Sequence, residues 1–112
     1  MKSLLLILPL LVAGCATVPT ASTPVYRAAG TEPFWSLQIG DRTMTFSEPE
    51  KSPVVQATPK VIHGFAGEIY QSPRISVNIV HAPCSDGMSD RKYPDKVQVG
   101  VDGRHFEGCG GL

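Results

Sequence analysis

Apolar and polar residues alternate with a period of two through much of the chain. FWSLQI (34–39), TMTFS (43–47), RISVNIV (74–80), KVQVGV (96–101) and RHFEGC (104–109) carry this alternation, as expected of strands with one buried face. PVVQATPKVI (53–62) reads as a further, less regular strand. GDR, FAGE, QSPR and DGR punctuate these runs with turn residues, and Asp102-Gly103 between two alternating segments predicts a tight hairpin. No window of helical length beyond the N-terminal region carries an apolar stripe of period 3.6. The expected fold is therefore all-β, a small antiparallel β-barrel or sandwich of short strands.

The N-terminal pattern is different in kind. MKSLLLILPLLVAGC has a cation at Lys2, an apolar run from Leu4 to Ala13, and small residues before Cys15. The run is short for a spanning helix and has the layout of a secretory signal. LVAGC resembles the bacterial lipobox, which implies cleavage before Cys15 and a diacylglycerol on its thiol, with further acylation such as palmitate. Residues 1–14 are then a lipoprotein signal peptide. Residues 15–24, the lipidated Cys and ATVPTASTP, form a Pro-containing polar linker, and residues 25–112 form a single β domain. Ala16 in place of an aspartate after the lipidated Cys implies, by resemblance to the enterobacterial sorting rule, the outer membrane with the domain facing the periplasm.

Composition changes this picture in two respects. Cleavage removes 14 of 112 residues, leaving 98, and with Lys2 gone nine Lys and Arg face ten Asp and Glu. The resulting formal charge of −1 does not favour nucleic acid or a charge-driven membrane contact. The expected membrane association comes from the lipid at Cys15. With Cys15 used in this way, Cys84 and Cys109 remain as an even pair in an oxidising compartment. A disulfide is expected over free or metal-binding thiols, since no CxxC-type spacing is present.

Two segments concentrate candidate chemistry. In GTEPFW (30–35), Phe34 and Trp35 are adjacent in a strand, so one ring is expected in the core and the other over an edge or groove. Glu32 can pair with Arg91 if the two segments adjoin. In CSDGMSDRKYP (84–94), Asp86-Gly87 is a turn signal, and Asp86 and Ser89 suit local backbone bonding. Asp86, Asp90, Arg91 and Tyr93 also form a polar constellation on a disulfide-held loop, so structural locking and recognition both stand. Two carboxylates in one short loop do not establish the cross-substrate gap needed for glycoside hydrolysis. His63, His81 and His105 are scattered, and Met44 and Met88 offer a soft-metal pair only if distant segments converge.

The order and spacing of GTEPFW and CSDGMSDRKYP, with the terminal GC, resemble a family of small bacterial envelope lipoproteins and predicted membrane-associated proteins of unknown function. The resemblance runs from Arg27 to Cys109. GTEPFWSLQIG is also similar to the opening strand of META/HslJ-type domains. Neither resemblance implies an activity. The expectation is a lipid-anchored, non-enzymatic binding or structural module with no cofactor, no metal and no catalytic residue. Its partners are expected to be the membrane, through Cys15, and an envelope protein. The candidate recognition residues are Glu32, Phe34, Trp35, Asp86, Asp90, Arg91 and Tyr93. The alternatives are a periplasmic inhibitor of a hydrolase such as lysozyme, or a small-ligand or metal-binding lipoprotein.

Overall fold

The computed structural model describes residues 25–112, an all-β domain. The signal segment, the lipidation at Cys15 and the linker lie outside the described residues. The strands are β1 (Tyr26–Thr31), β2 (Phe34–Ile39), β3 (Thr43–Ser47), β4 (Val54–Ala57), β5 (Ile62–His63), β6 (Gly67–Gln71), β7 (Ile75–Val80), β8 (Cys84–Ser85), β9 (Lys92–Tyr93), β10 (Asp95–Val101) and β11 (Arg104–Gly110). Nine of them form one antiparallel sheet in the order β4-β3-β2-β1-β11-β10-β7-β6-β5, and β8 and β9 form a separate hairpin. The sheet curls into a half-barrel.

Period-two alternation sets its concave face. Trp35, Leu37 and Ile39 of β2, Ile75, Val77 and Ile79 of β7, and Val97, Val99 and Val101 of β10 are all buried, while the residues between them face outward. Burial of each such side chain contributes about 1.5–3 kcal/mol before chain entropy is charged against it. Trp35, Phe46 and Phe106 meet in the core, with centroids 4.9 Å apart for the two Phe rings and 5.8 Å for Trp35 and Phe46. The β10–β11 hairpin turns at Asp102 and Gly103, both at positive φ, as the Asp-Gly pair predicts.

Several elements depart from the alternation pattern for identifiable reasons. PVVQATPKVI is split into β4 and the two-residue β5. Pro59 has no N–H to give a ladder, and Thr58 turns its N–H to Arg42 and its hydroxyl to Gly40. β1 lacks an apolar stripe: its inward positions are Tyr26, Ala28 and Gly30, and the Trp35 ring occupies the space where a side chain on Gly30 would stand. In β6, Gly67 lies against the Ile79 carbonyl, a close approach that leaves no room for a Cβ.

Candidate functional site

The β8–β9 hairpin lies over the outer face of the sheet and is joined to β11 by the Cys84–Cys109 disulfide, with an S–S distance of 2.06 Å and Cα atoms 5.6 Å apart. The expected staple is present. The loop it carries is ordered from within by Asp86. Asp86 Oδ1 accepts from the backbone N–H groups of Met88 and Ser89, both at 2.9 Å. Its Oδ2 accepts from the Ser89 hydroxyl at 3.1 Å and the Tyr93 hydroxyl at 3.3 Å. The two backbone donors, first Met88 and then Ser89, hold the Asp86 carboxyl below its ordinary range. Ser89 Oγ in turn accepts from the Arg91 N–H. The Thr31 hydroxyl donates to the Asp86 carbonyl, which connects the loop to the end of β1.

Asp86 is thus committed to its own loop, and the remaining candidates divide. Tyr93 is half-buried beneath the Arg91 guanidinium, 5.4 Å from its ring centroid, while Asp90 and Arg91 are exposed and Met88 is 68% exposed at the tip. Glu32 stands exposed beside the cis Glu32-Pro33 bond, and no ion pair joins it to Arg91 among the described residues, contrary to the sequence expectation. The two rings separate as adjacent strand residues must. Trp35 is buried, its Nε1–H donating to the Glu107 carbonyl at 3.2 Å, so its ring offers no surface to a ligand. Phe34 is 57% exposed on the outer face. An open groove of about 600 Å³ runs beside the hairpin, lined in part by Glu32, Asp86, Lys96, Gln98 and Glu107.

A second cluster was not expected from the sequence. At the sheet edge where β1 begins, Tyr26 donates its hydroxyl to Asp95 Oδ2 at 2.7 Å. Asp95 Oδ1 lies 2.6 Å from His81 Nδ1, and His81 Nε2 lies 2.6 Å from Glu68 Oε2. An imidazole with both nitrogens facing carboxylates is satisfied only as the cation, since the neutral ring has one N–H to give. The bond to Asp95, and then that to Glu68, raises the His81 pKa above its ordinary value. Burial, followed by the Asp95 bond, raises that of Tyr26. A signal for the cluster lay in strand parity. Position 81 continues the inward series 75, 77, 79, and position 95 begins the inward series 97, 99, 101. Asp95 is a buried acid on a core-facing register and so requires a partner, whereas His81, one residue past the end of β7, is exposed and meets it from the rim.

The arrangement favours the protonated imidazole and straps β1, β10 and β6 together. His63 and His105 do not join it, and Met44 is in the core while Met88 is at the loop tip. Among the described residues no three His, Cys, Asp or Glu side chains are set to hold a metal ion. No protein-family model, curated protein or solved structure matches the chain.

Proposed function

We propose that this is a lipid-anchored, non-enzymatic recognition module of the bacterial cell envelope. It is tethered through Cys15 to the outer membrane and presents the Cys84–Tyr93 loop to a protein partner. The observation that carries this reading is the use of Asp86: its carboxylate is consumed in ordering the loop, leaving Met88, Asp90 and Arg91 turned outward on a stapled scaffold. A pre-ordered tip loses little conformational freedom on binding, which favours recognition by a loop of this kind. Arg and Met are residue types enriched at protein interfaces.

The test is site-specific photo-crosslinking of the full chain in growing cells, with the reactive group at Met88 and, as a control on the sheet edge, at Val55. A discrete envelope protein captured from position 88 and not from 55 supports the reading. Equal capture from both positions, or none from 88, overturns it.

The same pre-ordered tip also supports the inhibitor reading, in which the loop plugs the cleft of an envelope hydrolase. Inhibition of a lysozyme-type enzyme by the wild-type chain, with relief on Arg91→Ala, separates this from a non-inhibitory partner.

A further inference from the structure

The hairpin joining β5 to β6 has its backbone fixed and its side chain unpartnered. Gly64 N–H donates to the Gly67 carbonyl and His81 N–H to the Ala66 carbonyl, both at 2.8 Å, which pins the turn to the main sheet. At its tip, Phe65 is fully exposed, at 113% of its reference area. The ring is held in water on a turn whose backbone is fixed, and its meaning depends on what shares its edge of the sheet.

The register shows what else lies at that edge. Gly67 pairs with Val80, Val80 with Lys96, Lys96 with Cys109, and Cys109 with Ala29. Phe65 therefore stands toward the same end of the sheet at which β1 begins. The Tyr26–Asp95–His81–Glu68 chain runs along this edge from β1 to β6. Val25 and Leu112 are also exposed here, and Leu112 is held by its N–H to the Arg27 carbonyl. Phe34 and Met88, by contrast, are exposed toward the far edge, where Thr31 contacts the loop. The near edge also carries the exposed cations Arg27 and, in the β2–β3 turn, Arg42. Of the acids there, Glu68 and Asp95 are bonded to His81, and Asp41 lies in the turn beside Arg42.

We propose that this edge is the face the domain lays on the phospholipid bilayer, with Phe65 seated at the boundary of headgroups and acyl chains. The inference rests on the lipid tether proposed above. Residues 15–24 can span at most about 35 Å between the lipid and Val25, and Val25, where that segment meets the domain, stands on this edge. An aromatic at a turn tip, with Arg27 and Arg42 farther along the same end of the sheet, has the chemistry of an interfacial anchor, with an apolar ring for the acyl boundary and guanidinium groups for lipid phosphates. The attachment is driven by the apolar ring and does not need a basic net charge. It also orients the molecule, since the Met88 tip then points away from the bilayer toward the periplasm.

The test uses the full lipidated chain in phosphatidylethanolamine–phosphatidylglycerol vesicles containing lipids brominated near the headgroup end of the acyl chains. Phe65→Trp and Met88→Trp are compared, with the buried Trp35 signal of the wild type subtracted. The expected result is that the tryptophan fluorescence of Phe65→Trp is quenched several-fold more than that of Met88→Trp. A chain that floats with the vesicles but shows equal or no quenching at both positions overturns the inference and leaves the tether standing. A chain that does not float overturns the tether and the inference with it. Capture of a protein, with no quenching, from a photoreactive group at position 65 assigns the edge to a protein partner and also overturns the inference.

Discussion

Tyr26 reaches over β11 to donate to Asp95 on β10, and the strand it crosses is kept open at that point by Gly110. A Cβ on Gly110 would fall on the Tyr26 hydroxyl. The hydrogen bond and the glycine are therefore one device, and substitutions at either position disturb the same contact.

Gly110→Ala is expected to destabilise the domain by about 1–3 kcal/mol through overpacking. Tyr26→Phe is expected to cost about 1–3 kcal/mol by leaving the buried Asp95 Oδ2 without its donor. Denaturant unfolding of the single and double variants checks both. The double variant should be less destabilised than the sum, because the added methyl no longer meets a hydroxyl. Strict additivity would show that Gly110 and Tyr26 act separately.

His81 makes stability depend on pH in a defined direction. Its folded pKa is raised above the ordinary 6.5, so its stabilising contribution is fully present below that value and is lost as pH rises through the folded pKa. Thermal melts between about pH 6 and about pH 9 should therefore show wild type losing more stability with rising pH than His81→Gln, whose side chain does not titrate. Parallel curves for the two proteins would show that the cationic bridge contributes nothing.

The disulfide closes a loop with a sequence separation of 25 residues. In the chain-entropy account such a closure stabilises by about 3–4 kcal/mol. The Cys84→Ser/Cys109→Ser double variant should lose that amount in denaturant unfolding. Mass spectrometry of non-reduced protein from the envelope should find the pair bridged, and two freely alkylated thiols there would contradict it.

The legible part of this fold was the part that repeats. β2, β3, β7, β10 and β11 follow alternation closely because each buries one face, and parity alone assigns Leu37, Val77 and Val99 to the core. β1 was not legible, because its inward position Gly30 is bare to admit the Trp35 ring, a fact about a neighbouring strand. The loop was legible in its Asp-Gly turn and its cysteine, and the local bonds of Asp86 follow from the residue type. The proposed Glu32–Arg91 pair was not realised, because it required two segments to adjoin in one particular way and Arg91 lies over Tyr93 instead. The Tyr26–Asp95–His81–Glu68 chain joins residues from four separate strands or strand ends, and only the core-facing parity of Asp95 hinted at it.

The last prediction separates holding the loop from using it. Asp86 holds it, since its carboxylate gathers the backbone of Met88 and Ser89 and the hydroxyls of Ser89 and Tyr93. Arg91 is exposed, and its guanidinium lies over the face of Tyr93. Asp86→Ala should therefore lower the melting temperature and speed amide exchange at Met88 and Ser89, whereas Arg91→Ala should leave stability within about 0.5 kcal/mol of wild type. If the loop is the recognition surface, both variants lose the partner captured from position 88, Asp86→Ala by loosening the tip and Arg91→Ala by removing a contact. The depressed carboxyl of Asp86 adds a direction in acid: the stabilisation it supplies is present above the ordinary 3.8 and is lost as pH falls through the lower folded value. The difference in melting temperature between wild type and Asp86→Ala should therefore shrink in acid. A loop in which Asp86→Ala changes neither exchange nor melting, while Arg91→Ala alone abolishes capture, would mean that the disulfide suffices to hold the tip and that Asp86 is a contact residue in its own right.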